Sequence, residues 1–540
     1  MTDFSWKHLS PEEKAQINSK PGYNYKLKLP GLLSMVVAMA LFVAELFFLN
    51  WLAFRLTGLG LGILGGLQLL ALGFAIYLSH KVNRTSYTLF WIMIILFFPA
   101  LGLILYLFWG NENRFGKQRK HFAECQARLA PWRKTEEACQ ADLATRSLDL
   151  PSQIQLRYLL NKGFPIYKDT KMTYAPTGED QFDLMFQDIA QAQDFIFLEY
   201  FIISDGYIWE QTVDLLLEKA DEGLEIRLLY DDFGTTARAD SATMVKLKDH
   251  GVKIINFNPV ARYASGLYRN YRNHQKAAII DGKIAWLGGT NLADEYANIH
   301  KRFGYWKDTA IRLEGPACDS ITADFLLMWE HDNIYPLDED YSRFLPQSRD
   351  PLFSLPDSGL VVPFWDGPLG RDDYPASDLI SSLISTSEKR LYISTPYLVP
   401  ETDMMNRIIQ AAQSGVEVFI LMPGIPDKKL VYKVSQSNYY PLLKAGCRIF
   451  LYEPGFLHAK TFLADGKRAL VGSINLDYRS LYLNFENGVY IYQDPVLTDI
   501  EADMQEIIAH SREIDLASWE KRPFRHKLLE FILKPFSPLL

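Results

Sequence analysis

His274-Gln-Lys276-Ala-Ala-Ile-Ile-Asp281, followed six residues later by Gly288-Gly289-Thr-Asn291, has a counterpart in His458-Ala-Lys460-Thr-Phe-Leu-Ala-Asp465, followed six residues later by Gly472-Ser473-Ile-Asn475. Both copies fit H-x-K-x4-D-x6-G-[GS]-x-N. A single H-x-K is common by chance; two full copies at matching places in one chain are not. His and Lys two apart on a strand point to the same face. The apolar residues that follow hold the strand in a core, and the Gly-rich turn lets backbone approach a ligand closely. Brought together, the copies supply two imidazoles, two ammonium groups and two amides, a set that suits a phosphodiester. Lys276 and Lys460 provide the charge, and Asn291 and Asn475 donate amide hydrogens.

The flanking sequence is duplicated as well. In the first half, 194–203 reads as a buried strand, a helix ends near Glu222-Gly223, and 224–230 reads as the next strand. The second half repeats the order with 390–394, a helix ending near Ser414-Gly415, and 416–421. Further on, 248–255 parallels 443–450, and Pro259 and Pro454 close corresponding turns. Short apolar runs alternating with Gly-terminated helices signal βαβ units around a buried sheet. The expectation is an α/β fold of two tandem units forming a pseudo-twofold pair, with the active site where they meet.

The chain has 540 residues, 48% hydrophobic and 22% charged, with a formal net charge of −8. At roughly 150 residues per domain this length allows three or four units. The negative balance speaks against a protein built to coat nucleic acid. Cys125, Cys139, Cys318 and Cys447 are scattered without C-x-x-C spacing, so neither a disulfide framework nor a zinc site is expected, which fits a reducing compartment.

Three apolar stretches follow a polar start: 31–54, carrying Glu45 and Asn50, then 58–78 and 86–109, both without charge. A bilayer core needs about 20 apolar helical residues, so the second and third are expected to span. Glu45 would cost a few kcal/mol facing lipid, which leaves the first stretch spanning, interfacial or paired within the cluster. Basic residues (Lys7 to Lys28 before the first stretch, Arg114 to Lys120 after the third) favour a cytoplasmic position for both ends, which three spans cannot satisfy; the second and third alone would satisfy it but put the basic loop 80–84 on the other side. The expected organisation is a polar tail (1–30), a membrane anchor of two or three helices (31–110), a linker (111–150), two α/β domains (151–345 and 346–520) and a basic amphipathic tail (521–540).

The motif pair resembles the HKD phospholipase D superfamily over residues 150–540. That resemblance implies a metal-free and cofactor-free mechanism in which one histidine forms a phosphohistidine and the other is the general acid and base. By motif position His274 is the implied nucleophile and His458 the acid and base. Lys276, Lys460, Asn291 and Asn475 bind phosphoryl oxygens. Asp281 and Asp465 complete the catalytic motif, bracing local structure rather than touching substrate. Family members fix the histidine tautomer with a downstream carboxylate, for which Asp308 and Glu486 are the candidates. Glu199 belongs either to the pocket or to the edge of the core.

Within the superfamily, residues 88–110, Ser394-Thr-Pro-Tyr-Leu-Val-Pro400 and the terminal Pro538-Leu-Leu540 resemble bacterial cardiolipin synthases. The implied reaction joins two phosphatidylglycerol molecules into cardiolipin and glycerol. The implied setting is a multi-pass protein of the bacterial plasma membrane with cytoplasmic catalytic domains. Anionic membrane and phospholipid are then the partners, nucleic acid is not, and a homo-oligomer stays open. Transfer to another alcohol or to water is the alternative chemistry, and a catalytically silent lipid-binding scaffold the alternative class. Residues 521–534 either lie on an anionic surface or dock on the core, and 263–271 with Arg262, Arg269 and Arg272 is a candidate headgroup guide.

Overall fold

The computed structural model describes residues 51, 59–80, 85–110, 116–133, 137–145, 147–259, 271–332, 339–345, 359–370 and 373–539. The polar tail and nearly all of the first apolar stretch, Glu45 included, lie outside these residues, as do Arg262 and Arg269.

Two sheets organise the chain. The first half supplies β1 (Lys171–Ala175), β2 (Phe195–Tyr200), β3 (Glu225–Asp231), β4 (Lys253–Phe257), β5 (Arg272–Asn273), β6 (Ala277–Ile280), β7 (Ile284–Gly288), β8 (Tyr305–Lys307) and β9 (Ala310–Glu314). The second supplies β10 (Leu360–Asp366), β11 (Arg390–Ser394), β12 (Leu398–Val399), β13 (Glu417–Pro423), β14 (Arg448–Tyr452), β15 (Gly455–Leu457), β16 (Thr461–Ala464), β17 (Arg468–Gly472), β18 (Leu476–Asp477), β19 (Asn484–Tyr492) and β20 (Ser511–Glu513).

The sheet orders are β1-β9-β7-β6-β2-β3-β4 and β10-β19-β17-β16-β11-β13-β14-β20, the same path with one added edge strand. In each, the motif strand (β6 or β16) lies between two neighbours in the sheet interior. Its four residues are all buried, as apolar runs covered on both faces should be. Each motif aspartate sits at the turn that follows. Asp281 and Gly282 have φ of 53° and 60°, and Asp465 and Gly466 have 56° and 65°, the paired positive φ of a tight hairpin that Asp-Gly tolerates well.

The halves are tied together by two short exchanged pairings. β5 runs parallel to β19, setting Asn273 against Phe485, and β15 runs parallel to β8, setting Leu457 against Lys307. The chain entering each motif therefore borrows its neighbour from the opposite half.

The N-terminal region departs from the expected spans. The second apolar stretch forms α1 (Leu59–His80), and the third breaks into α2 (Thr85–Phe97) and α3 (Pro99–Leu105), followed by a wider turn to Gly110. The break comes at Phe98 (φ −132°, ψ 75°), because Pro99 has no N–H to continue the ladder. The chain folds back so tightly that a Cβ on Gly102 would lie 2.7 Å from Ile95 Cα. α1 contains five glycines and buries Ala71, Ala75 and Leu78. Among the described residues no helix is long and apolar enough to cross a membrane. The described helices of this region pack on one another and expose Leu69, Leu70, Leu72, Ile76 and Phe97. They join the catalytic body through the stacked rings of Tyr87 and Tyr478, 5.4 Å apart. α4 (Gly116–Leu129), in the expected linker, packs Phe122 against Trp365 and Phe485.

Candidate active site

Strand exchange fixes the site to within one residue. His274 N–H donates to Phe485 O (2.9 Å), and His458 N–H donates to Lys307 O (2.7 Å). The residue after each acceptor is a carboxylic acid. Glu486 thereby meets His274, with Nδ1 2.9 Å from both carboxyl oxygens, and Asp308 meets His458 Nδ1 at 2.6 Å. Each imidazole is thus held by an acid from the other half. An ionised carboxylate can only accept, so it places the ring proton on Nδ1 and leaves Nε2 free to react. Both acids are fully buried, and both rings line one cavity of about 450 Å³ between the halves.

The lysines lie behind the rings rather than beside the cavity mouth. Lys276 Nζ donates to His274 O, and Lys460 Nζ donates to His458 O. Burial lowers Lys276 to about 7 and Lys460 to about 8, with the buried acids pulling upward. Asn291 accepts from the Ile202 N–H (2.9 Å) and donates to the Tyr296 hydroxyl (2.6 Å), so one of its amide hydrogens is already engaged. Asn475 lines the cavity with a buried Oδ1 that has no hydrogen-bond partner. Asp281 stays away from the cavity and accepts from the backbone of Gln193, Asp194 and Phe195. Asp465 does the same for Glu388, Lys389 and Arg390.

The half-sites differ in electrostatics. Burial opposes ionisation of Asp308, but His458 and Lys460 outweigh it and hold this acid below the usual carboxylate range. Burial wins at Glu486, which rises to about 7 against the pull of Lys276 and the Ser473 hydroxyl. His274 is driven well below the ordinary imidazole value by burial, then by Lys276 and Lys460. His458 falls to about 4 through burial and Lys460, with Asp308 pulling it back. Trp306 and Tyr296 flank His458 at 5.2 and 5.7 Å, and Phe201 packs against His274 at 4.9 Å.

The small residues of the motif have a steric cause. A Cβ on Gly289 would lie 2.1 Å from Asp308 Oδ1. The equivalent Ser473 instead donates its hydroxyl to the longer Glu486 side chain.

Several cavity residues carry no catalytic motif in the sequence, and Tyr397 merely falls within the stretch 394–400 that resembles cardiolipin synthases. Tyr397, whose hydroxyl donates to Asp427 (2.6 Å), and Lys428, Arg479, Arg238 and Arg302 all line the space. Lys428 stands over the Tyr397 ring at 5.2 Å. Their periodic context is ordinary, and only the closure of the two halves brings them together. Glu199 does not reach the cavity; it is buried, accepts from Asn273 (2.6 Å) and is pushed by burial up to about 8. Arg272 is no headgroup guide, since its guanidinium is buried, donates to Asn258 O (3.0 Å) and faces Asp231. The four cysteines are buried free thiols, and among the described residues no three His, Cys, Asp or Glu side chains cluster as a metal site.

Two α/β halves of one topology, each lending a histidine backed by its motif lysine to a shared cavity, define a phospholipase D-like protein. A family model described as "Cardiolipin synthase, PLD-like domain" matches residues 185–303 and 380–508, and a "Phospholipase_D-nuclease N-terminal" model matches 66–111. The chain is 36% identical over 472 residues to an uncharacterised protein of Streptococcus mutans, covering 87% of this chain and 100% of that one. It is 30% identical to cardiolipin synthase 1 of Bacillus anthracis, covering 89% and 94%. The crystal structure of phosphatidylserine synthase from Haemophilus influenzae shares the fold, with a TM-score of 0.56 at 17% identity over 72% of this chain and 100% of that one. The chain belongs to the cardiolipin synthase family.

Proposed function

We propose that this chain is a cardiolipin synthase, transferring a phosphatidyl group between two phosphatidylglycerol molecules. The observation that carries the mechanism is the pair of imidazoles with Nδ1 engaged by acids of the opposite half, both lining one cavity. His274 Nε2 attacks phosphorus, forming a P–N bond as the P–O bond to the leaving glycerol breaks. With the anionic phosphodiester bound, His458 carries a second proton on Nε2, its Nδ1–H staying on Asp308, and gives the Nε2 proton to that oxygen. The hydroxyl of the second phosphatidylglycerol then loses its proton to His458 and attacks phosphorus, breaking the P–N bond. Cardiolipin and glycerol are the products, and the phosphodiester's free energy is conserved in the intermediate.

The unequal half-sites support this division of roles. A nucleophile must be neutral, and burial together with Lys276 and Lys460 holds His274 well below the ordinary imidazole value. A proton carrier gains from a charged acid on its other ring nitrogen, which His458 has in Asp308. Lys276, Lys460 and the amides of Asn291 and Asn475 stabilise the negative charge that grows on the phosphoryl oxygens. Access to lipid from a bacterial membrane is served by the exposed apolar residues of α1–α3. A second exposed apolar surface is Phe524, Phe531 and Ile532 on the terminal helix Phe524–Leu533, whose opposite side packs on the helix Lys429–Ser437.

Phosphatidylglycerol vesicles incubated with the full chain should yield cardiolipin and glycerol in equal amounts by mass spectrometry. Phosphatidic acid as the main product would instead make water the acceptor, and absence of both would overturn the reading.

A further inference from the structure

A second cavity of about 460 Å³ lies behind the catalytic one, and the chemistry above makes no use of it. The wall between them is the two-stranded β12–β18 ladder, which sets Leu398 against Leu476 and Val399 against Asp477. Tyr397, Asp477 and Arg479 face the catalytic cavity, while Val399, Pro400 and Tyr478 line the rear groove. The groove is mostly apolar. Leu89, Phe90 and Met93 of α2 form one side, and Met405 and Ile409 of the helix Thr402–Gln413 form the other. It opens between two exposed apolar surfaces, the α1–α3 cluster and the terminal helix.

Its polar groups are few and incompletely paired. Glu401 accepts from the Ser86 hydroxyl (2.8 Å) through one oxygen, and its other oxygen is buried without a hydrogen-bond partner. Lys534 stands at the rim, where partial burial lowers its ammonium and, among the described residues, no charged partner offsets that effect. An apolar trough with a rim cation and an acceptor that is unsatisfied among the described residues fits an acyl chain below an anionic, hydroxyl-bearing headgroup.

We propose that this groove binds a second phospholipid of the phosphatidylglycerol type, distinct from the molecules that react, with a chain along Leu89, Phe90 and Met405 and its phosphate on Lys534. The occupant lies one two-stranded wall from the reacting phosphorus. The headgroup class rests on the proposed reaction, whereas groove occupancy does not, so loss of cardiolipin formation and loss of groove labelling are separate results.

The test is photolabelling of the full chain in nanodiscs with phosphatidylglycerol carrying a mid-chain diazirine, mapped by peptide mass spectrometry. Label is expected on 86–93 and 399–409 as well as on the catalytic cavity. Lys534→Gln should lower groove labelling about fivefold, the loss expected from one surface cation, and Met405→Trp should abolish it by filling the trough. Both variants should keep their labelling in the catalytic cavity, which reports that the fold is intact. A phosphatidylcholine probe, zwitterionic and without headgroup hydroxyls, should label the groove several-fold less. No label at 86–93 and 399–409 in the unaltered protein, as when residues 1–50 or another copy fill the groove, overturns the proposal. Labelling unchanged by both substitutions, or equal with both probes, overturns it too.

Discussion

The two half-sites share a backbone plan and differ in their acids. His458 meets an aspartate that approaches so closely that the motif must carry Gly289 beside it, and aromatic rings surround the imidazole. His274 meets a glutamate that reaches one methylene further and takes a hydroxyl from Ser473 at the position equivalent to that glycine. The shorter acid stays ionised, while the longer one titrates near neutrality. A duplicated motif has thus been tuned by four side chains into two unequal bases. Symmetry supplies the geometry, and its local failure supplies the division of labour.

The comparison can be broken most severely at the rings themselves. His274→Ala and His458→Ala should each lower kcat by at least about 10³-fold without changing the thermal melt, since nucleophile and proton carrier are both lost from one shared cycle. An activated substrate whose leaving group needs no proton should restore the first step in His458→Ala but not in His274→Ala. Full activity in either variant would end the shared-site account.

Exchanging acids for amides sharpens the contrast. Asp308→Asn and Glu486→Gln keep the shape but lose the fixed tautomer, at a cost of about 10²- to 10⁴-fold in kcat. The loss should be larger for Asp308→Asn, because that acid is the ionised one. Gly289→Ala should mimic part of this loss by pushing the Asp308 carboxyl aside, whereas Ser473→Gly should not.

The pH profile follows from the same inequality. Glu486, raised to about 7, is protonated below that pH and then no longer accepts from His274 Nδ1, so kcat/KM should fall as pH drops through about 7. Lys276 and Lys460, lowered to about 7 and about 8, lose charge as pH rises through those values, so kcat/KM should fall again from just above about 7, leaving a narrow optimum near neutrality. A bound phosphodiester holds those protons, which should move the alkaline limb of kcat to higher pH. Glu486→Gln should flatten the acid limb alone. The smallest effect is expected for Ser473→Ala, about tenfold or less in kcat, the worth of one hydrogen bond to a charged group.

The motif spacing and the duplicated sheets are legible in the sequence because each is a local pattern repeated at a matching place, whereas both acids follow from the resemblance to the superfamily. The crossing of those acids is not legible. It depends on β5 and β15, strands of two and three residues, too short for any periodicity to show their partners. Asp281 and Asp465 carry an Asp-Gly hairpin signal, so their distance from the cavity follows from local rules. The third apolar stretch misleads for a related reason. Its hydropathy is continuous across 86–109, but a backbone constraint at Phe98-Pro99 folds it back on itself. Tyr397, Lys428 and Arg479 are ordinary in sequence and acquire a role only when the two halves close.

The central claim is that His274 attacks while His458 moves the proton. Rapid quench of the full chain with phosphatidylglycerol labelled at phosphorus, followed by peptide mapping under alkaline conditions that preserve phosphohistidine, tests it directly. The account predicts label on His274, absent in His274→Ala. Label on His458 in the unaltered protein, or turnover with no covalent label at any quench time, would contradict it.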